Sequence, residues 1–175
     1  MSDRIYLGVD VGRHTGLAAI DQDGRCLFRD TYELGGEYGE RLTYLEDVLG
    51  EFIRRYQFNR RNNTQIALLV VEEPPRVKST KVYNQLSGYE AIVIKTCEDS
   101  CVPYISVNNL TIKKVIVRGG AVGKSSKDDM MFKAASLIGE QVPQFDTKAE
   151  RELAQNGYDA VLCAFYARYV DQGGK

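Results

Sequence analysis

The segment at residues 8–16, GVDVGRHTG, decides how this 175-residue chain is interpreted. It joins two short apolar runs at residues 4–11 and 16–20, and its glycines permit a tight turn in which the backbone can approach a bound group closely. Asp10 stands at the end of the first run, where a carboxylate is costly to desolvate unless it has a partner or a cation. The segment predicts a strand, a turn with a candidate functional acid, and a second strand.

The rest of the chain alternates between strand and helix patterns. Turn-forming residues at 21–24 predict a hairpin to a third strand at 25–34, and apolar residues at three- and four-residue steps predict a helix at 38–58. The run IALLVV at 66–71 predicts a strand buried on both faces. Later elements are predicted as helices at 80–97, 108–117, 127–138 and 146–169, a strand at 103–107 and a glycine-rich loop at 118–126. We expect one α/β domain over residues 1–175, with a mixed five-stranded sheet flanked by helices on both sides.

Two further acids accompany Asp10. Glu72 ends the buried run, and Asp159 precedes the apolar stretch AVLCAF in the last helix. If the first and fourth strands are neighbours, Asp10 and Glu72 approach each other, and their repulsion favours a bound cation. The alternative is that these acids face water at the strand ends.

The charge of the chain is balanced overall but unevenly distributed. The chain has 23 Lys and Arg and 24 Asp and Glu, which gives a net charge of −1. Taken alone, this total argues against binding of nucleic acid, because many domains that bind it are strongly basic. Residues 113–133, however, carry six Lys or Arg against two Asp, and a second basic cluster comprises Arg54, Arg55, Arg60 and Arg61. Such patches suit phosphate contacts, while the balanced total predicts weak non-specific duplex binding.

Composition also limits which cellular compartment and which metal sites are expected. No apolar run approaches the roughly 20 residues of a membrane span, and no signal-peptide pattern follows Met1, so we expect a cytoplasmic protein without a membrane partner. The four cysteines are scattered, and the only histidine, His14, is far from the pair Cys97 and Cys101. Free thiols are therefore expected, and a structural zinc site is not.

Several motifs in fixed order resemble one family. Asp10, Gly12, Thr15 and Gly16 form the pattern D-x-G-x-x-T-G, which the ribonuclease H-like superfamily shares with actin-type phosphotransferases. The junction Glu72-Glu73-Pro74, Lys113 in NNLTIKKVIV, Lys127 after the glycine loop and the terminal NGYDAVLCAF extend the likeness over residues 5–169. Together these motifs resemble the RuvC family of Holliday junction resolvases. A bacterial or phage-type member of that family is expected. The resemblance implies an RNase H-like fold and a homodimer that resolves four-way DNA junctions by symmetric two-metal hydrolysis.

The resemblance also implies a ligand set. Asp10, Glu72 and Asp159 would hold two Mg²⁺ ions, with Mn²⁺ as a substitute and no organic cofactor. Glu73 is less suitable than Glu72 because successive strand side chains point to opposite faces. The family usually has an acid or histidine one helical turn before Asp159, and here that position is Asn156.

Three interpretations of Asn156 stay open. Asn156 can be a natural ligand that offers its carbonyl oxygen without charge, so that the second metal binds more weakly. Glu152, two turns before Asp159, can compensate for the missing acid. Finally, Asn156 can be an engineered Asp→Asn change that traps an inactive enzyme.

The same resemblance places Lys113 and Lys127 near the scissile phosphate, with Lys114 and Lys124 as alternates. The predicted DNA-binding set is Arg76, Lys78, Lys113, Lys114, Arg118, Lys124 and Lys127. The family's aromatic wedge after Glu72 has no clear counterpart, so Tyr83, Arg76 and Val77 are candidates. His14 is expected to be a partly exposed loop residue.

Other functions compete with the resolvase. A non-catalytic or weakened branched-DNA binder is suggested by Asn156, and an RNase H-like nuclease acting on flap DNA or RNA would share the acids. An actin-type phosphotransferase would need a second, duplicated domain, for which 175 residues leave no room. The helices at 38–58 and 80–97 are the candidate dimer interface.

Overall fold

The chain folds around one sheet that begins with a hairpin and continues through parallel crossovers. The computed structural model describes residues 3–57, 64–75, 77–119 and 125–174. In chain order, the elements are β1 Asp3–Asp10, β2 His14–Asp21, β3 Cys26–Glu33, α1 Tyr38–Gln57, β4 Thr64–Glu72, α2 Thr80–Asp99, β5 Tyr104–Val107, α3 Asn109–Ile112, the π-helical turn Lys113–Val117, α4 Lys127–Leu137 and α5 Lys148–Asp171.

The strand order is β3-β2-β1-β4-β5. β1 pairs antiparallel with β2, and β2 with β3, because tight turns join them. β4 pairs parallel with β1, and β5 with β4, so α1 and α2 serve as the crossover connections. The mixed five-stranded sheet predicted from the sequence is confirmed, and the carboxyl ends of β1, β4 and β5 lie at one edge.

Helices cover both faces of the sheet, as predicted. On one face, α4 and α5 pack against side chains such as Tyr6, Ala18 and Val70. On the other, α1 and α2 bury a second apolar cluster that includes Leu7 and Leu49. Alternate residues of β1 therefore enter opposite cores, as the two-residue strand period requires.

Two glycines bring α5 unusually close to the sheet. A Cβ atom on Gly8 would overlap the carbonyl oxygen of Ala160, and one on Gly16 would overlap that of Asn156. No larger residue fits at either position without moving the helix. Gly8 in β1 and Gly16 in β2 thus allow the middle of α5 to lie directly against these two strands.

The short helix expected after β5 has two parts. Asn108 caps α3 as predicted, because its side chain accepts a hydrogen bond from the backbone N–H of Leu110. The chain then continues as the π-helical turn instead of an α-helix. Among the helices in the described part of the chain, none has the length and apolar character required to cross a bilayer.

Candidate active site

Three acids meet where β1, β4 and α5 come together. Asp10 is the last residue of β1 and Glu72 the last of β4, and the two strands are parallel neighbours whose register pairs Val9 with Val71. Asp159 lies on α5, which Gly16 allows to approach this edge. The structure therefore brings together the three carboxylates that the sequence predicted.

Burial raises the pKa of all three carboxylates, and neighbouring acids add to the rise for Asp10 and Asp159. Burial, followed by the charges of Glu72 and Asp159, raises the pKa of Asp10 well above its ordinary value, while Lys127 opposes the shift. Burial and the charge of Glu72 raise the pKa of Asp159 to about 7. Burial also raises the pKa of Glu72. Within the described ranges, no ion pair includes any of these three acids, so their negative charge is concentrated without a directly bound base.

Two amide side chains contact these acids. Asn109 Nδ2 donates a hydrogen bond to Glu72 Oε2 at 2.6 Å, and Gln155 Nε2 donates one to Asp159 Oδ1 at 2.9 Å. Sequence reasoning missed both residues. The available signal was positional: Gln155 lies one turn before Asp159, and Asn109 follows the strand next to β4.

A cleft of about 620 Å³ opens beside the acids. Its polar lining includes Glu72, Asp159, Asn109, Lys113 and Lys127. The positive charges of both lysines oppose the rise in the pKa of Asp159. The remaining lining residues are Glu73, Pro75, Asn108, Leu110 and Met130.

The two lysines reach the cleft from different elements. Lys113 begins the π-helical turn, a conformation often found at functional sites. Lys127 begins α4, whose N-terminus is fixed by a capping box between Ser126 and Asp129. Both lysines line the same cleft as Glu72 and Asp159. Their predicted role beside the scissile phosphate stays a prediction.

The donor set fits a hard divalent cation. Buried carboxylates that repel one another and lack bound bases are stabilised by a metal, and oxygen ligands suit Mg²⁺ or Mn²⁺. Among the described residues, no group of three or more His, Cys, Asp or Glu side chains is arranged so that it could hold a metal ion by itself. Mg²⁺ does not require one, because it usually keeps several waters and binds through one or two carboxylates plus substrate phosphates.

Asn156 and Glu152 occupy different surroundings from the three acids. Asn156 Nδ2 donates to the backbone oxygen of Glu152 at 2.9 Å, so its side chain is bonded to its own helix. The Glu152 carboxylate is exposed and lies 3.4 Å from Lys148. It lines a neighbouring cleft of about 280 Å³, together with Lys127, Arg151 and other residues. The proposed metal-ligand roles of Asn156 and Glu152 stay predictions.

The other predicted DNA contacts are only partly described. Lys78 and Lys114 are exposed, whereas Arg118 is half-buried at the end of the π-helical turn. The predicted contacts Arg76 and Lys124, and Arg60 and Arg61 of the second basic cluster, lie outside the described residues.

The remaining candidates have other surroundings. Of the wedge candidates, Val77 and Tyr83 are both exposed. His14 is partly exposed at the start of β2, and its Nε2 lies 3.7 Å from a carboxylate oxygen of Glu33. His14 is therefore associated with the edge of β3.

Comparison with known proteins identifies the fold. No protein-family model and no curated protein sequence matches the chain. Among solved structures, Thermus thermophilus RuvC in complex with a Holliday junction substrate superposes with a TM-score of 0.72 at 15% identity, covering 97% of this chain and 96% of that one. A second Thermus thermophilus RuvC structure gives 0.72 at 16% identity with the same coverage. The yeast mitochondrial Holliday junction resolvase Ydc2 gives 0.61 at 11% identity, covering 98% of this chain and 79% of that one.

Proposed function

The chain has the RuvC-type RNase H-like fold, and on this premise we propose that it is a Mg²⁺-dependent endodeoxyribonuclease that resolves four-way DNA junctions. One observation carries the proposal: Asp10, Glu72 and Asp159 converge beside a cleft that is also lined by Lys113 and Lys127. A cleft with both acids and lysines suits phosphodiester hydrolysis, which needs a cation for the acids and positive charge for the phosphate.

Each side chain has a defined task in this reaction. Asp10, Glu72 and Asp159 would hold two Mg²⁺ ions, which would supply an activated water and neutralise charge on the leaving oxygen. Lys113 and Lys127 reduce the repulsion between the acids and the incoming phosphate. Asn156 contributes at most a neutral carbonyl oxygen, which would weaken binding of one ion.

Recognition of branched DNA would rest mainly on phosphate contacts. Lys78, Lys114 and Arg118, with Arg76 and Lys124, would extend the positive surface of Lys113 and Lys127 towards the arms of a junction. Two symmetric nicks require two active sites, so we expect a homodimer with two-fold symmetry. Both helices predicted for its interface carry exposed apolar side chains, Tyr44 on α1 and Val82 and Tyr83 on α2, so both stay candidates.

A second function is favoured by one observation. The Asn156 side chain is hydrogen-bonded to its own helix and brings no charge to the acids. A protein with this arrangement would bind branched DNA but cut it weakly or not at all. RNA or flap DNA as substrate is a further alternative that the same experiment includes.

The test uses a synthetic four-way junction, a matched linear duplex, a flap and an RNA–DNA hybrid. Each is incubated with Mg²⁺, Mn²⁺ or EDTA, and the products are mapped on denaturing gels. We expect paired, symmetric nicks in the junction only, dependent on metal. Metal-independent binding without nicking would favour the binder, and failure to bind any of the DNAs would exclude both functions.

A further inference from the structure

We propose that Asn109 and Gln155 are positioning residues that hold Glu72 and Asp159 in the orientation required for binding a divalent cation. This inference rests on the proposed metal-dependent function. It concerns two residues outside the resemblance, and each makes its own hydrogen bond to a different acid.

Asn109 is itself held firmly in place. The Asn108 cap fixes the start of α3, and the backbone N–H of Glu73 bonds the carbonyl of Val107 at 2.9 Å, which ties β4 to the segment before α3. The backbones on both sides of the Asn109–Glu72 bond are therefore fixed. The amide consequently defines the direction of the Glu72 side chain.

The orientation of the Asn109 amide is determined by Glu72. Its Nδ2 faces the carboxylate, whereas its Oδ1 is buried and has no hydrogen-bond partner among the described residues. Turning the amide over would place Oδ1 against a carboxylate oxygen, which is repulsive. A bond to a charged acceptor is the stronger kind, so it sets the orientation even though a buried oxygen stays unbonded.

Gln155 has a similar relation to Asp159. It is only 6% exposed, and a buried amide is costly unless it forms hydrogen bonds. Its hydrogen bond to Asp159 lies within α5, whose backbone is held against β2 where Asn156 meets Gly16. The bond therefore explains why a polar residue occupies this buried position.

Neutral donors suit this task better than lysines would. A lysine bonded directly to Glu72 or Asp159 would cancel the charge that attracts a cation. An amide fixes one carboxylate oxygen and leaves the negative charge of the group intact. Hydrogen-bond partners of this kind typically contribute roughly 10- to 100-fold to metal affinity.

The test measures Mn²⁺ binding by electron paramagnetic resonance and does not depend on cleavage. Asn109→Leu and Gln155→Met keep the approximate side-chain volume but remove the donor. Each should raise the Mn²⁺ dissociation constant roughly 10-fold or more. The matched controls Thr111→Val, on the same short helix, and Gln144→Met, in an exposed segment, should leave the constant within about twofold of wild type.

Two further measurements separate positioning from general damage. The melting temperature in EDTA and the affinity for a four-way junction in EDTA should stay close to wild type in both variants. Nicking should recover at high Mg²⁺, because orientation affects metal binding before it affects the chemistry. If a Leu or Met variant fails to fold, Asn109→Ala and Gln155→Ala take its place.

The outcomes distinguish this inference from the proposed function. Unchanged Mn²⁺ constants in both variants, with a wild type that binds Mn²⁺ and cuts junctions, would overturn the positioning role alone. A wild type that binds Mn²⁺ but cuts no junction would overturn the proposed function, and the variants would still decide the positioning role. A wild type that binds no Mn²⁺ would overturn both.

Discussion

α5 carries an acidic side chain at each end of its contact with β1, and the two acids have different surroundings. At one end Asp171 accepts hydrogen bonds from Arg4 and from the hydroxyl of Tyr6. At the other end Asp159 faces Asp10 and Glu72 and has Gln155 as its hydrogen-bond donor. The two positions on α5 are about 18 Å apart, from the helical rise of 12 residues.

This difference separates an acid that has cationic and hydroxyl partners from an acid that is surrounded by like charge. The Asp171 end is electrostatically satisfied and joins the helix to the sheet. The Asp159 end concentrates like charge, which is expected to destabilise the protein in the absence of a cation and, under the proposed function, would favour a bound one. Groups with strongly shifted pKa values often mark functional sites, and here the contrast lies along a single helix.

The largest expected effect is on cleavage. Asp10→Asn removes one of the three acids proposed to hold the metal ions, and should reduce Mg²⁺-dependent nicking of a four-way junction by about 1,000-fold, or roughly 4 kcal/mol in activation free energy. Single-turnover gel assays measure the rate, and junction affinity in EDTA should be unchanged. A variant that cuts at a rate near wild type would show that this end of the β1–α5 contact is not the active site.

The next effect is on the stability of the metal-free protein. The pKa of Asp159 is about 7 in the folded protein, whereas the ordinary value, which applies to the unfolded chain, is 3.8. As the pH rises, the unfolded chain therefore releases this proton at a lower pH than the folded protein does. The free energy of unfolding should therefore fall between about pH 4 and 7, and the full cost is present above pH 7. Asp159→Asn removes this cost and should stabilise the protein at pH 8 by about 2 kcal/mol, or roughly 4–8 °C in melting temperature.

Thermal denaturation in EDTA at pH 4 and pH 8 checks this expectation. The gain from Asp159→Asn should be large at pH 8 and nearly absent at pH 4. Asp146→Asn, an exposed residue before α5, serves as the matched control and should have little effect at either pH. A lower melting temperature for Asp159→Asn at pH 8 would contradict the like-charge description of this end.

A smaller effect is expected from adding a charge. Asn156→Asp places a carboxylate one helical turn before Asp159 and should increase nicking at limiting Mg²⁺ by about 10-fold, or roughly 1.4 kcal/mol. The same change should lower the melting temperature in EDTA, because it adds repulsion. Asn84→Asp, which adds the same charge on α2, is the matched control for both measurements. No gain at limiting Mg²⁺ would remove Asn156 from the metal site and favour the DNA-binding alternative.

The sequence predicted most of the fold and the acids of the site. The order of strands follows from apolar runs and turn residues, and Asp10, Glu72 and Asp159 were recognised because each ends or precedes an apolar segment in a known order. Their convergence required that β1 and β4 be neighbours and that α5 pack closely against the same edge, which Gly16 permits. These features are carried by patterns of several residues, which a single sequence displays.

The missed features depend on individual side-chain contacts. Asn109 and Glu72 are 37 residues apart, and no periodicity signals that one amide will point at one carboxylate. The ion pair between Lys148 and Glu152 within α5 was likewise not predicted. Such contacts depend on rotamers and on competition between neighbours, which spacing alone does not determine.

The smallest effect is expected at the satisfied end. Asp171→Asn weakens the bonds to Arg4 and Tyr6, and should destabilise the protein by about 1 kcal/mol because Arg4 is half exposed and its ion pair is screened. Urea denaturation measures the loss, and Tyr6→Phe with the double variant shows whether the two effects are coupled. Nicking should stay within twofold of wild type.

The same Asp→Asn substitution should therefore act in opposite directions at the two ends of the contact. Asp159→Asn should stabilise the protein and inactivate it, whereas Asp171→Asn should destabilise it without inactivating it. Opposite signs of the change in stability would establish the contrast. Equal signs would contradict it.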